Sequence, residues 1–292
     1  MLRNVGFGGI PIAFKQNYRD YKAGYGPTLA CAEIIDNNLR VLEAVLRFCA
    51  AEGIKLYNIP SLLIPQAGNP ASAAYTYLPH YKCQIARIGE YAKRNNIRLC
   101  MHLPLSVQIV SEDAKVYSRS KQEIAYHTLV GNWLGCDFLL CMHIGGEYSD
   151  KDSNKVKFCR AFRGLGWGLT RYIALENSGS FHNSDDVYEV CHELRVPMIW
   201  DLHHHLINPS RTFHPKKWIS TWEALVPMIH VSSPDNYLQP TLHASYVDFE
   251  FIRRIICVLD WWDFDCLVEA RQRNLAAKDF YNRYNLYYNR LR

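Results

Sequence analysis

Short apolar runs alternate along this chain with longer segments in which apolar residues recur every three or four positions. The first pattern marks a strand buried on both faces, and the second marks a helix with one apolar stripe. Eight runs stand out: 3–9 (RNVGFGG), 55–60 (KLYNIP), 97–102 (IRLCMH), 137–143 (DFLLCMH), 172–177 (YIALEN), 197–201 (PMIWD), 227–233 (PMIHVSS) and 264–270 (FDCLVEA). Between them the helical period is clearest over 37–53, 80–95 and 184–195, and the last of these opens on a cap-like Ser184 followed by Asp185 and Asp186, acids that suit a helix N-terminus. Strand and helix in alternation predict parallel strands with helices packed outside. Eight such units in 292 residues, with no Pro/Gly-rich linker, predict a single domain over 1–292, a closed (β/α)8 TIM barrel rather than an open doubly wound sheet.

The polar residues within those runs are unevenly placed. His102, His143, Glu176, Asp201, His230 and Glu269 each stand at or near the C-terminal end of a predicted strand, and His243 follows shortly after the seventh. In a barrel these ends converge on one rim, where barrel enzymes build their active sites. Imidazole nitrogens and carboxylate oxygens suit zinc or manganese, and a carboxylate can bridge two ions. Taken singly, a strand-end histidine is more often a hydrogen-bonded structural residue than a ligand, and a lone strand-end glutamate is often a salt-bridge partner. As a series they would be costly to desolvate without cations, which predicts two or three divalent ions at the C-terminal rim. The run His203-His204-His205 follows Asp201 closely. Strand parity alone puts His203 on the face of Asp201, and the run itself does not say which ring is used.

Composition narrows the class of molecule. Lys plus Arg (33) exceed Asp plus Glu (28), a mild basic excess compatible with a polyanionic partner. The ten cysteines are scattered, mostly in apolar runs and without a CxxC pair, as expected of buried thiols in a reducing compartment. The opening MLRNVGFGGIPIAFK has no basic head before a long apolar stretch, and no run reaches eighteen apolar residues. The expectation is therefore a cytoplasmic protein, nucleoid-associated if prokaryotic, with no membrane partner and no evident need for a protein partner.

The stretches CMHIGGEYSDK (141–151), ALEN (174–177), WDLHHH (200–205), IHVSS (229–233), LHASY (242–246) and CLVEA (266–270) resemble, in order and spacing, the UV-damage endonuclease family. So do 37–59 and 124–135, and the likeness spans nearly the whole chain. That family is a (β/α)8 barrel of the xylose-isomerase-like superfamily, related to the metal-dependent apurinic endonucleases. The resemblance implies metal ligands at His102, His143, Glu176, Asp201, His204, His230, His243 and Glu269. One ion would take His102, His143 and Glu176; a second would share Glu176 and add Asp201, His230 and Glu269; a third would use His204 and His243. His203 would then support a ligand, and His205 would face solvent or a loop. The implied reaction is a nick 5′ of a UV photoproduct or abasic site in double-stranded DNA. The ions bridged by Glu176 would generate hydroxide, Asp201 and Glu269 would fix geometry, and the His204 ion would stabilise the leaving oxygen.

Several positions depart from the family. The third-strand histidine is usually followed by Pro-Gly-Gln-aromatic, where this chain has Leu103, Pro104, Leu105 and Ser106; Met228 replaces a lysine; Asn58 replaces an arginine; and the HSDY pattern becomes His243 to Tyr246. The metal set is kept while lesion-reading positions change. Leu105, Ser106, Tyr148, Lys151, Arg211, Lys216, Lys217 and Tyr246 are candidate DNA contacts on the rim, with solvated surface or packing as the alternative for each basic or tyrosine residue. A sugar isomerase or epimerase of the same superfamily and a non-catalytic damage-binding protein are the rival functions.

Overall fold

The structure is a computed structural model that describes residues 1–20, 29–146, 150–236, 238–259 and 261–291. Eight parallel strands close into a barrel. In chain order the strands are β1 (Leu2–Gly8), β2 (Leu56–Ile59), β3 (Arg98–His102), β4 (Phe138–His143), β5 (Ile173–Glu176), β6 (Met198–Asp201), β7 (Met228–Val231), the short β8 (Pro234–Asn236) and β9 (Gln239–His243), and β10 (Phe264–Val268). The barrel runs β1-β10-β7-β6-β5-β4-β3-β2 and shuts by pairing β2 with β1. All eight predicted runs are barrel strands, and each is apolar for the reason inferred: helices cover the outside and side chains fill the inside.

Helices follow the strands as the periodicity predicts. The first, Leu29–Ala51, begins earlier than the 37–53 pattern and buries Ile35, Leu39, Leu42 and Leu46 against the sheet. Lys82–Arg94 and Ser184–Leu194 match their patterns, with one correction at the latter. Its N-cap is Asn183, whose side chain accepts from Asp185 and Asp186 while Asp186 reaches back to the Asn183 amide. This is a reciprocal capping box, and Ser184 is the first helical residue rather than the cap. The antiparallel β8–β9 hairpin was not anticipated; Pro234-Asp235-Asn236 is turn chemistry inserted before the eighth barrel strand.

The interior has two polar layers. At the N-terminal end of the barrel, Arg98 of β3 donates to Asp265 of β10 (3.0 Å) and to the Val226 carbonyl (2.8 Å), and Asn4 of β1 donates to the other oxygen of Asp265 (2.8 Å). Because β3 and β10 are not neighbours, this contact crosses the barrel. The second layer is the C-terminal rim. No helix among the described residues is long and apolar enough to cross a membrane, and all ten cysteines are free thiols.

Candidate metal centre

Sheet register assembles the rim. His143 pairs with Glu176 across β4 and β5, Asp201 with His230 across β6 and β7, and His102 with Cys141 across β3 and β4. Glu269 lies one residue past β10, its amide donating to Val231 (2.9 Å). His204 arrives by another route. The chain leaves β6 directly into a helical turn, Leu202–Ile207, capped by Asp201, whose Oδ1 accepts from the His204 amide at 2.7 Å. The turn breaks strand parity and swings His204, not His203, over the rim, where a Cβ on Gly179 would meet its ring at 3.1 Å. His243 ends the β9 arm of the hairpin.

These eight side chains form one network centred on Glu176, which is 1% exposed. Its Oε2 lies 2.9 Å from His102 Nε2 and 3.4 Å from His143 Nε2; its Oε1 lies 2.8 Å from His230 Nδ1 and 4.0 Å from His204 Nδ1. His230 Nδ1 is also 3.3 Å from Glu269, His204 Nδ1 is 3.7 Å from Asp201 Oδ2, and His243 Nδ1 is 3.9 Å from Glu269. Backbone carbonyls orient three of the rings: Nδ1 of His102, His143 and His204 points to the carbonyls of Leu103 (2.8 Å), Glu176 (3.3 Å) and Asn177 (3.0 Å). Such a bond fixes the tautomer and leaves Nε2 as a lone-pair donor.

The arrangement fits cations. With Nδ1 donating to Leu103, a neutral His102 aims a lone pair at Glu176 Oε2, two acceptors 2.9 Å apart that need a proton or a metal ion between them. Asp201 Oδ2 and His230 Nε2 are buried with no hydrogen-bond partner, a state that costs free energy unless an ion or other partner is supplied. Ligand atoms of Glu176, Asp201 and His230 lie within 4.8 Å of one another, as do those of His102, Cys141 and Glu176. The protonation pattern reflects the crowding. Burial, aided by nearby carboxylates, raises Asp201 to about 6, and burial lowers His143 to about 4. Burial also opposes charge on His230, but Glu176 and Glu269 beside it win and hold it at about 9. For Glu176 the burial penalty is overcome by His230 and His143, leaving it well below the usual carboxylate range.

A cleft of about 500 Å³ opens onto this centre between the loop after β3 and the loops after β4 and β5. Two motif glycines are explained by it. Gly145 and Gly146 both have positive φ, and a Cβ on either would press into Gln108 or Val110, while the Gly146 amide donates to Gln108 at 2.9 Å. Leu105 stands in the cleft mouth, 72% exposed, and Ser106 is exposed beside it. Of the basic candidates, Lys151 is paired with Asp186 (2.9 Å) and Lys217 with Asp185 (2.8 Å), whereas Arg211 and Lys216 are exposed with no side-chain partner among the described residues. Tyr246 is 44% exposed, and Tyr148 lies outside the described residues. His203 is buried between Ser232 and the Pro240 carbonyl, bracing the hairpin. His205 is half-buried, packed on Trp200 and on Phe213 of the loop that follows, with Ser184 2.8 Å from its ring.

Two residues escaped the sequence reading. Asn177 exchanges hydrogen bonds with the Asp201 backbone in both directions (2.9 and 3.0 Å), stitching β5 to β6 at the level of Glu176 and Asp201. Cys141, grouped with the inert thiols, has its Sγ 2.9 Å from Glu176 Oε2. Its position two residues before His143 on one strand was the available signal. Burial, together with the charges of Glu176 and Glu269, holds its thiol well above the usual range.

Comparison with known proteins identifies the family and matches the fold. The profile of the family described as UV-endonuclease UvdE matches residues 24–287. A UV DNA damage endonuclease of Bacillus thuringiensis subsp. konkukian (strain 97-27) is 25% identical over 258 residues, covering 85% of this chain and 81% of the relative. The crystal structure of SacUVDE superposes with a TM-score of 0.88 at 22% identity, covering 95% of this chain and 96% of that one. Endonuclease IV from Thermus thermophilus shares the fold at a TM-score of 0.61 and 13% identity, over 99% and 100% of the two chains.

Proposed function

The chain belongs to the UV-endonuclease UvdE family, and from that premise we propose that it is a metal-dependent endonuclease that cuts the phosphodiester 5′ of UV photoproducts or abasic sites in double-stranded DNA. The observation that carries this reading is the convergence on Glu176: four imidazoles reach one buried carboxylate within 4.0 Å, beside two buried ligand atoms left without partners. Two or three divalent ions, manganese or zinc, would be held by His102, His143 and Glu176, by Glu176, Asp201, His230 and Glu269, and by His204 and His243. Bound there, they supply Lewis acidity, acidifying water for attack on phosphorus and offsetting phosphate charge.

The chain's own contribution is positioning. Asp201 spends one oxygen on the His204 amide and keeps the other free, so it holds the His204 turn and offers a ligand atom at once. The carbonyls of Leu103, Glu176 and Asn177 keep three rings aimed inward. Arg211 and Lys216 are free to meet phosphates, while Lys151 and Lys217 reach DNA only by exchanging their aspartates. Leu105, Ser106, Tyr246 and Tyr148 are assigned to the nucleotides around the lesion. The altered row after His102 leaves less to probe the opposite strand, which favours abasic sites, since a baseless nucleotide costs least to unstack.

A duplex carrying one cyclobutane dimer or one abasic site, incubated with manganese or zinc, should be nicked on the 5′ side. Glu176→Gln should lower the rate by on the order of 10³-fold or more, as when one member of a catalytic set acting as a unit is removed. Tight binding without cleavage would instead identify a damage-binding protein, and sugar turnover without cleavage an isomerase.

A further inference from the structure

Strands β3 and β4 end alike, Cys100-Met101-His102 and Cys141-Met142-His143, yet their thiols sit in different surroundings. Cys100 Sγ is 3.6 Å from the Asn58 amide oxygen and 3.8 Å from the Tyr57 carbonyl. Cys141 Sγ is 2.9 Å from Glu176 Oε2, the oxygen that His102 Nε2 also approaches to 2.9 Å and His143 Nε2 to 3.4 Å. Residues two apart on a strand share a face, so Cys141 lies beneath His143, and register sets it opposite His102. Its contact with oxygen is shorter than those of Cys100, of Cys191 (3.6 Å) and of Cys257 (3.2 Å). Two donors bound to one tetrahedral ion, sulfur at about 2.3 Å and oxygen at about 2.1 Å, are themselves about 3.6 Å apart, so the 2.9 Å contact would open by about 0.7 Å on ligation.

We propose that Cys141 is a metal ligand, making the His102 site a mixed nitrogen, oxygen and sulfur site that selects zinc over manganese. The inference rests on the metal-dependent reading above and deepens it. On ligation the thiol proton goes to solvent and a sulfur lone pair goes to the ion, with no change of oxidation state. Thiolate is a soft donor that favours zinc, whereas the neighbouring set of Glu176, Asp201 and His230 is nitrogen and oxygen only and accepts either metal. Glu176 therefore joins two positions of unequal softness.

The test uses the full chain, stripped with chelator and titrated with cobalt(II) chloride. The wild type should show visible ligand-field bands together with a near-ultraviolet band from thiolate-to-cobalt charge transfer. Cys141→Ser should keep the visible bands and lose the near-ultraviolet one, and Cys100→Ser should keep both. Zinc affinity in Cys141→Ser should fall by at least the roughly 10–100-fold that loss of a supporting partner costs, with manganese affinity little changed. Visible bands without the near-ultraviolet band in the wild type, or that band surviving in Cys141→Ser, would overturn the assignment and leave Cys141 as a hydrogen-bond donor to Glu176. The wild-type spectrum decides even if the variant does not fold. Failure to bind cobalt, zinc or manganese at all would instead sink the metal-dependent reading.

Discussion

The barrel encloses charge at both ends, and the two ends are finished differently. At the N-terminal end one cation, Arg98, meets one buried anion, Asp265; both Asp265 oxygens accept hydrogen bonds, and the guanidinium also lies 3.3 Å from Asp137. At the C-terminal end three carboxylates and five histidines crowd together, and Asp201 Oδ2 and His230 Nε2 are left over. In the first layer the buried carboxylate is fully met within the protein, Asp265 taking Arg98 on one oxygen and Asn4 on the other, although Arg98 Nε is itself buried without a hydrogen bond. The second is incomplete within the protein, the condition expected where a cation finishes the network. Burial is nearly equal in the two, with Asp265 at 2% and Glu176 at 1% exposure, so depth does not separate structure from function here. What separates them is the gathering of four imidazoles within 4.0 Å of the single carboxylate Glu176.

That contrast can be broken most forcefully at Arg98. Arg98→Met strands Asp265 without its cation and should cost about 3–5 kcal/mol of stability, read by denaturant unfolding of the chelated protein, while leaving metal affinity unchanged. A matching loss of metal binding would show the two layers to be one unit. Adding metal should act on the other end alone: at about 100 times its dissociation constant, an ion bound only to the folded state adds about 2.7 kcal/mol, in the wild type and in Arg98→Met alike. Thermal melts with and without chelator check this.

Acid sharpens the picture further. His127 and His182 are buried and held at about 4, in each case chiefly by desolvation. The folded state then binds fewer protons than the unfolded state between about 4 and 6.5. Their contribution to stability is therefore whole above pH 6.5 and is lost as the pH falls toward 4. His127→Gln should flatten that decline in the chelated protein, measured as unfolding free energy at pH 7 and pH 5. The smallest effect belongs to the surface. Arg211→Ala or Lys216→Ala should weaken DNA binding and reduce the salt slope of log K by about 0.9 for each phosphate that the residue neutralises, with no change in melting temperature. An unchanged slope would remove either residue from the DNA interface.

Much of the frame was legible because parallel strands are buried on both faces and read as unbroken apolar runs; Phe138 to Met142 could hardly be anything else. Six rim residues were legible because they interrupt such runs at their ends. His204 was not derivable from alternation, which favours His203; the resemblance supplied it, and the cap that Asp201 places on the next turn explains it. Cys141 was missed because a thiol in an apolar run looks like packing until the register brings it against Glu176. The lysine candidates show what sequence leaves out. A basic residue meets a phosphate without first breaking an ion pair only if no acid holds it, and Asp186 and Asp185 hold Lys151 and Lys217.

The hairpin that carries His243 divides the centre into a cast portion and an interchangeable one. A barrel strand cannot gain a residue without disturbing the pairing on both its sides, whereas a two-stranded arm can be lengthened, shortened or exchanged at its open end. Seven of the eight proposed ligands are set by the barrel and its loops, and the eighth, His243, rides on an appendage braced by His203 through the Pro240 carbonyl. Grafting a different arm between Ser233 and Ala244, whose backbones already pair at 2.8 Å, is thus the least disruptive way to retune which substrates such a barrel accepts.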